Sequence, residues 1–473
     1  MKVLYIASEA LPFIASGGLA DVAGSLPKAL AKKGVECRVV LPLYSDIRPE
    51  LRDKMTPLVS YYVNVSWRNQ YCGVYEAQSD GITYYLLDNE YYFKRKGTYG
   101  FYDDAERFAF FSMASLELVK HLDYTPDILH CNDWQTALVP VFLNLFFRCF
   151  EKLRSIKTVF TIHNIQYQGR FGMEICGDLL GIPRHKEGIV EFDGCANYMK
   201  AAIDQSDRIT TVSPTYAKEI LDPWYAHGLD GLLRERQYKL SGILNGIDTD
   251  LYNPQTDPSI EVNFSASQPA GKAEDKAALQ RLLHLPESPQ AMVMSMVTRL
   301  VSHKGLDLVK YIFGEILRSN IQVVVLGSGE SGYEQFFTEM QRQYPEQVAV
   351  RLGFLPDLAR KIYAGSDAFL MPSKTEPCGL SQMVALRYGA LPIVRETGGL
   401  KDSITDLGEE GGNGFTFKTY NAHDMLWAIQ RAYNLFGDRE QWNSAVHTAL
   451  SCDFSWDRSA GQYLALYQDL LKR

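Results

Sequence analysis

A chain of 473 residues with 46% hydrophobic and 22% charged side chains has the make-up of a soluble globular protein with room for two large domains. Its net charge of −8 argues against nucleic acid and anionic membrane as partners, because both select a basic surface. Eight scattered cysteines form neither a disulfide framework nor a zinc pattern, and the strand-like N-terminus shows no targeting segment, so a cytoplasmic location is expected.

From the N-terminus, the predicted strands are VLYIAS, CRVVLP, ITYYLLD, DILHC and TVFTIHN, separated by longer helical patterns. The run TALVPVFLNLFFRCF contains Asn144 and Arg148 and is too short to span a bilayer, so it reads as a buried helix. LNGIDTDLYNPQTDPSI, dense in Asn, Asp, Pro and Gly, reads as a hinge. Beyond it come MVMSMVTR, QVVVLGSG, VAVRLGF, AFLMPS and LPIVRE. This alternation predicts an α/β protein of two Rossmann-like, doubly wound domains, 1–245 and 246–455, facing across a cleft. Ligands are then expected outside the carboxyl ends of the strands.

The loops after those strands carry the candidate chemistry. SGGLADV at 16–22 and TGGLKDS at 397–403 share one form, and each separates a strand from a helical pattern. They read either as two tight turns or as two loops lining one cleft, with Gly17, Gly18, Thr397, Gly398, Gly399 and Leu400 as candidate contacts. Neither is a G-x-G-x-x-G, so no dinucleotide is implied. VTRLVSHKGLDLV offers Arg299 and Lys304 before a helix, where two cations, free amides and the dipole suit a diphosphate. LGSGESG adds Gly327. In PSKTEPCGLSQM, Glu376 lies between a strand and a helix expected to start near Cys378 and Gly379, either as a favourable end charge or as a group pointing into the cleft. His163 and Asn164 follow TVFTI. Asp133 and Trp134 follow DILHCN, where Asp133 reads as a ligand group or a helix cap. NEYYFKRKGTYGFYDDAERFAFF, with Tyr99, fits a carbohydrate surface or an aromatic packing between loops. No metal cluster, phosphate-binding G-x-x-x-x-G-K or nucleophile elbow is present. Together the set suits a sugar-nucleotide transferase, in which cations and amides stabilise a departing diphosphate and a closed cleft aligns the acceptor hydroxyl.

The segments KVLYIASEALPF…GGLADVAGSLPKAL, TIHNIQYQG, TVSPTYAKEI, LNGIDTDLYNP, RLVSHKGLDL, PSKTEPCGLSQM and RETGGLKDS together resemble the bacterial glycogen synthase and starch synthase family of retaining GT-B glucosyltransferases. The resemblance runs from Met1 into FSWDRSAGQYLALYQDLLKR. It implies transfer of glucose from ADP-glucose to the non-reducing end of an α-1,4-glucan, without metal or other cofactor. Nucleotide sugar and glucan are the implied partners. The resemblance further implies that Arg299 and Lys304 hold the diphosphate and that Glu376 and His163 stand near the donor sugar. Asp21 and Asp133 share that cleft, Trp134 lies toward the acceptor, and Gly18 and the Gly398–Leu400 amides approach the donor. Asn245 of LNGID joins the substrate-binding set, and 456–473 is expected as a helix crossing back to the first domain.

Two departures stand out. The family's first motif is Lys-x-Gly-Gly-Leu, and here the lysine position is Ala15. Losing one charge-assisted hydrogen bond costs roughly 1.5–3 kcal/mol, unless Lys94, Arg95 or Lys96 folds in. The histidine common after Asp-Trp is Gln135. These leave two alternatives, a glucan-binding or regulatory paralogue and a related transferase with another donor.

Overall fold

The computed structural model describes residues 1–472. The chain forms two compact units: residues 1–246 together with the helix Trp456–Lys472, and residues 247–455.

Unit 1 carries β1 (Lys2–Ile6), β2 (Glu36–Pro42), β3 (Thr56–Val65), β4 (Arg68–Ser79), β5 (Ile82–Asp88), β6 (Ile128–Asn132) and β7 (Lys157–Ile162). A small sheet of β8 (Arg170–Phe171), β9 (Glu191–Phe192) and β10 (Cys195–Asn197) follows, then β11 (Arg208–Thr211) and β12 (Leu240–Gly242). The main sheet has the order β12-β11-β7-β6-β1-β2-β5-β4-β3. It is parallel except for the β3–β4 hairpin and the β4–β5 pairing. The strand order reverses between β1 and β6, so the loops beginning at Ala7 and Asp133 flank the switch point, where a parallel sheet presents its ligand crevice. Helix Trp456–Lys472 packs on helix Gly18–Lys32. Its Tyr467 hydroxyl meets Nδ1 of the buried His130 at 2.6 Å, and Oγ of Ser459 donates to the Leu244 carbonyl.

Unit 2 carries β13 (Met292–Val297), β14 (Ile321–Gly327), β15 (Val348–Leu352), β16 (Ala368–Met371), β17 (Leu391–Arg395) and β18 (Phe415–Phe417), in the order β15-β14-β13-β16-β17-β18. Every pairing is parallel. A parallel sheet is covered on both faces, which explains why IQVVVLG is buried at every position rather than at alternate ones. Its switch point lies between β13 and β16, bringing the loop from Thr298 to Gly305 beside the loop from Pro372 to Leu380.

All ten predicted strands form. The β3–β4 hairpin was not among them. Its two-residue turn is Ser66–Trp67, with Ser66 at φ 54°, and so lacks the Gly or Asn that marks such turns in sequence. The apolar run after Asp133 is buried but broken: a 3-10 turn at Trp134–Thr136, an α-helical turn at Leu138–Phe142 and a π-helical turn at Leu143–Phe147. Pro140 removes one ladder amide there, and Arg148 turns its guanidinium onto the carbonyls of Leu153, Arg154 and Ile156. Among the described residues no helix is long and apolar enough to cross a membrane.

Candidate active site

In unit 2 the switch point joins Lys304 to Glu376. Nζ of Lys304 donates to both carboxylate oxygens, at 2.9 and 2.7 Å, and Oγ of Ser373 donates to Oε2 at 2.8 Å. Glu376 is only 7% exposed. Burial alone would raise its carboxyl, but the charge and hydrogen bond of Lys304, then Ser373 and His303, outweigh it and hold the group below the usual carboxylate range. Burial and the neighbouring Lys304 lower the His303 ring from its ordinary value, with Glu376 opposing them. Arg299 follows β13 and is exposed. One cation of the predicted pair is therefore open to solvent, and the other is engaged by the carboxylate.

The loop bearing Glu376 is fixed from several sides. Arg395, at the end of β17, donates to the carbonyls of Ser373 and Lys374, while the Lys374 amide donates to the His303 carbonyl. Gly398 has φ 44°, and a Cβ there would stand 2.0 Å from the Glu376 carbonyl oxygen; at Gly399 it would stand 2.1 Å from that of Cys378. The glycine pair of TGGL is thus a contact surface for the Glu376 loop. The Gly399 amide donates to the carbonyls of Glu376 and Pro377, and the Leu400 amide to that of Thr397, so these two amides are already engaged. Thr397 is the buried N-cap of helix Gly398–Ser403. The helix expected from Cys378–Gly379 begins at Ser381, because Gly379 lies at φ 69° in the left-handed region. Cys378 is buried, and Gln382 donates to the carbonyls of Cys378 and Gly379. Gly327 is required by packing, since a Cβ there would meet the Thr298 carbonyl oxygen at 1.8 Å.

In unit 1 the loops after β6 and β7 lock together. Oδ1 of Asp133 accepts from the main-chain amides of His163 (2.7 Å) and Asn164 (3.3 Å). Asp133 has φ 55°, and its carboxyl is pushed up to about 7, chiefly by burial. His163 lies 2.9 Å through Nε2 from Oδ1 of Asn132, whose amide nitrogen donates to the Ile6 carbonyl. Nε2 is therefore the donor, and burial holds the ring neutral by pushing it down to about 3. That tautomer leaves Nδ1 as an acceptor. Trp134 is half-buried against Phe108, Phe171 and Tyr198, and Gly169 gives it room. The Tyr99 hydroxyl meets Ser8 Oγ at 2.7 Å. Asn245 and Gln135 are buried, and their carbonyl oxygens Oδ1 and Oε1 have no hydrogen-bond partner among the described residues.

The SGGLADV loop differs from its echo. Ala15, Ser16, Gly17 and Gly18 are exposed, and a Cβ at Gly17 would meet only Oε1 of Glu9, at 3.8 Å. Gly17 caps helix Gly18–Lys32, with Asp21 in its first turn. The cations considered as substitutes for the missing lysine are committed elsewhere in two of three cases: Arg95 pairs with Asp103 and Lys94 with Glu90. Sequence reasoning missed Glu9. It is 4% exposed, and its Oε2 accepts from the amide and hydroxyl of Ser16 at 2.5 and 2.6 Å. Its signal was a carboxylate in the first loop after β1, seven residues ahead of the serine it binds. Volume does not mark this chemistry: a groove of about 700 Å³ lined by Met173, Glu174, Ile182, Arg184 and Glu187 contains none of the predicted residues.

Residues 284–447 match the family model "Glycosyl transferases group 1" and residues 2–235 match "Starch synthase catalytic domain". The sucrose-phosphate synthase of Thermosynechococcus elongatus shares the fold at 16% identity, with a TM-score of 0.63 over the whole chain and 99% of its own. The chain is a two-unit glycosyltransferase of the GT-B fold. It is 51% identical to the glycogen synthase of Bacillus cereus over the full length of both, and 50% identical to that of Desulforamulus reducens over the whole chain and 99% of the relative. Its structure matches the catalytic domain of starch synthase IV from Arabidopsis thaliana, solved with ADP and acarbose, with a TM-score of 0.92, 35% identity and coverage of 100% and 99%. The chain belongs to the glycogen synthase and starch synthase family of glucosyltransferases.

Proposed function

We propose that the chain transfers glucose from ADP-glucose to the non-reducing end of an α-1,4-glucan with retention of configuration. The observation that carries the reading is the Lys304–Glu376 pair held at the switch point of unit 2, a buried carboxylate kept ionised by one cation beside a second, exposed cation, Arg299. The ADP and acarbose of the starch synthase IV structure support a nucleotide donor and a glucan-like acceptor.

On this reading residues 246–455 form the donor side, while 1–245 with the helix from 456 form the glucan side. Arg299 and Lys304 hold the diphosphate and stabilise its charge as the bond from glucose C1 to phosphate oxygen breaks. The acceptor 4-hydroxyl forms the new bond to C1, and its proton passes to the departing phosphate oxygen. Glu376 anchors Lys304 through both carboxylate oxygens and faces the donor sugar. His163 accepts a sugar hydroxyl at Nδ1, Asn245 takes a substrate hydroxyl, and Trp134 with Tyr99 packs the glucan. Asp133 and Glu9 spend oxygens on backbone amides. This favours departure and attack on one face over a covalent glucosyl-enzyme.

The test is incorporation of labelled glucose into a glycogen primer, with ADP-glucose and UDP-glucose side by side. Transfer from ADP-glucose at least tenfold faster is expected. Preference for UDP-glucose would overturn the donor assignment, and primer binding with no transfer from either would favour a regulatory role.

A further inference from the structure

The glycine-pair loop of unit 1 has Ala15 two residues before its glycines, and its backbone already holds an anion from within the chain. Ser16 gives both its amide and its hydroxyl to Oε2 of Glu9, and the Gly17 amide also donates to that carboxylate. Little else secures the tip. The Leu11 amide donates to the Ala20 carbonyl, and the amides of Phe13 and Ile14 donate to the Ala10 carbonyl. Ala15 through Gly18 then lie exposed. Glu9 itself cannot move away easily, because it sits buried in the first loop after β1.

We propose that Glu9 is a positioning residue whose buried carboxylate, by gripping Ser16 and Gly17, holds the glycine-pair loop in the shape that presents Gly18 to the donor. The inference rests on the donor-binding reading of that loop. A carboxylate suits the task because it is acceptor-only, with two oxygens for three donors. An amide in its place would offer one oxygen and set an NH2 group against a backbone N–H. Protonation weakens the grip for the same reason.

The group is poised for that change. Burial, opposed by the Ser16 and Gly17 hydrogen bonds, pushes its carboxyl up to about 7. The charged and titratable groups around it are Asp21 from helix Gly18–Lys32, Asp133 after β6, Tyr44 after β2 and Tyr99. Arg107 and Asp104, from helix Asp104–His121, stand behind Tyr44. Asp21 raises the carboxyl's affinity for a proton, Glu9 in turn raises that of Asp133, and Arg107 is the one cation among these neighbours.

Two measurements on the full chain test the assignment, using Glu9→Gln and Ser16→Ala beside the wild type. The first is amide hydrogen exchange of the peptide spanning Ala10–Leu19 at pH 8. At least tenfold faster exchange is expected in Glu9→Gln and a smaller rise in Ser16→Ala, with peptides from β13 to β18 unchanged. The second is steady-state transfer between pH 6 and 8.5. The wild-type KM for ADP-glucose should rise several-fold as pH falls below 7. Glu9→Gln should show a raised KM that varies less with pH than that of the wild type, with the KM for glycogen unaltered. Wild-type exchange in Glu9→Gln, or an unchanged donor KM and pH profile, would overturn the proposal. Absence of transfer by the wild type at every pH would instead strike the donor-binding reading, and the exchange result would still decide whether Glu9 holds the loop.

Discussion

At the scale of single residues, Lys304 sets the charge of Glu376. Glu376 is ionised inside the protein because Lys304 stands within hydrogen-bonding distance of both its oxygens. Its depressed carboxyl contributes stability above the usual carboxylate range, and that contribution is lost as pH falls through the folded value. Lys304→Ala strands a buried charge, a loss toward the lower end of about 3–5 kcal/mol because Lys304 keeps some contact with water. With the cation gone, burial governs the carboxyl and its titration moves upward. Lys304→Ala should therefore lower turnover and ADP affinity together and shift the acid limb of the pH–rate profile to higher pH. Kinetics from pH 5 to 9 with ADP titration check this; an unmoved acid limb would mean that Glu376 draws its charge state from elsewhere. His163 follows the same logic, since its tautomer is set by Asn132 and not by its own position in sequence.

At the scale of elements, two copies of one motif turn out to do different work. In TGGL the glycines exist because carbonyl oxygens of the Glu376 loop occupy the space a side chain would need, whereas in SGGL the space beside Gly17 is open and its φ of −164° suits any residue. Gly398→Ala should cost about 3 kcal/mol or more, from left-handed strain and backbone collision together. Gly17→Ala should stay within about 0.5 kcal/mol. Urea midpoints of the two variants compare them directly, and equal losses would contradict this division. The strands that carry these loops were legible in the sequence because β-branched and apolar runs recur between helical patterns. The positions of Arg299, Lys304, Glu376, Asp133 and His163 were legible because each follows a strand. What sequence could not supply was distance: that Lys304 and Glu376 meet depends on β13 and β16 being neighbours, although β14 and β15 intervene in the chain. Glu9 left only a faint signal, a carboxylate in the first loop after β1, because the turn that brings it beneath Ser16 follows from the folded loop.

At the scale of the molecule, unit 1 buries ionisable groups of opposite habit. Glu9 and Asp133 are pushed up to about 7, chiefly by burial, so folding takes up their protons and gains stability as pH falls through that value. His130 and His163 are pushed down to about 3 by burial, so their contribution is present above the ordinary histidine range and is lost as pH falls below it. Between pH 5 and 6.5 the two slopes oppose one another. Removing one acid by Glu9→Gln should tilt the balance, making the variant lose stability relative to wild type by about 1.4 kcal/mol per pH unit on acidification. Denaturant midpoints across that interval read the difference; parallel profiles would show that Glu9 titrates in its ordinary range when folded. The helix Trp456–Lys472 belongs to unit 1, where its Tyr467 meets His130 and its Asp457 and Asp469 pair with Lys33 and Arg208. A ribosome delivers that helix only after the whole of unit 2, roughly ten to forty seconds behind the end of the first segment at ordinary elongation rates. Unit 2, being continuous in the chain, can close while still being made. Unit 1 waits with His130 uncovered until that helix emerges, so the unit begun first closes after the unit begun second.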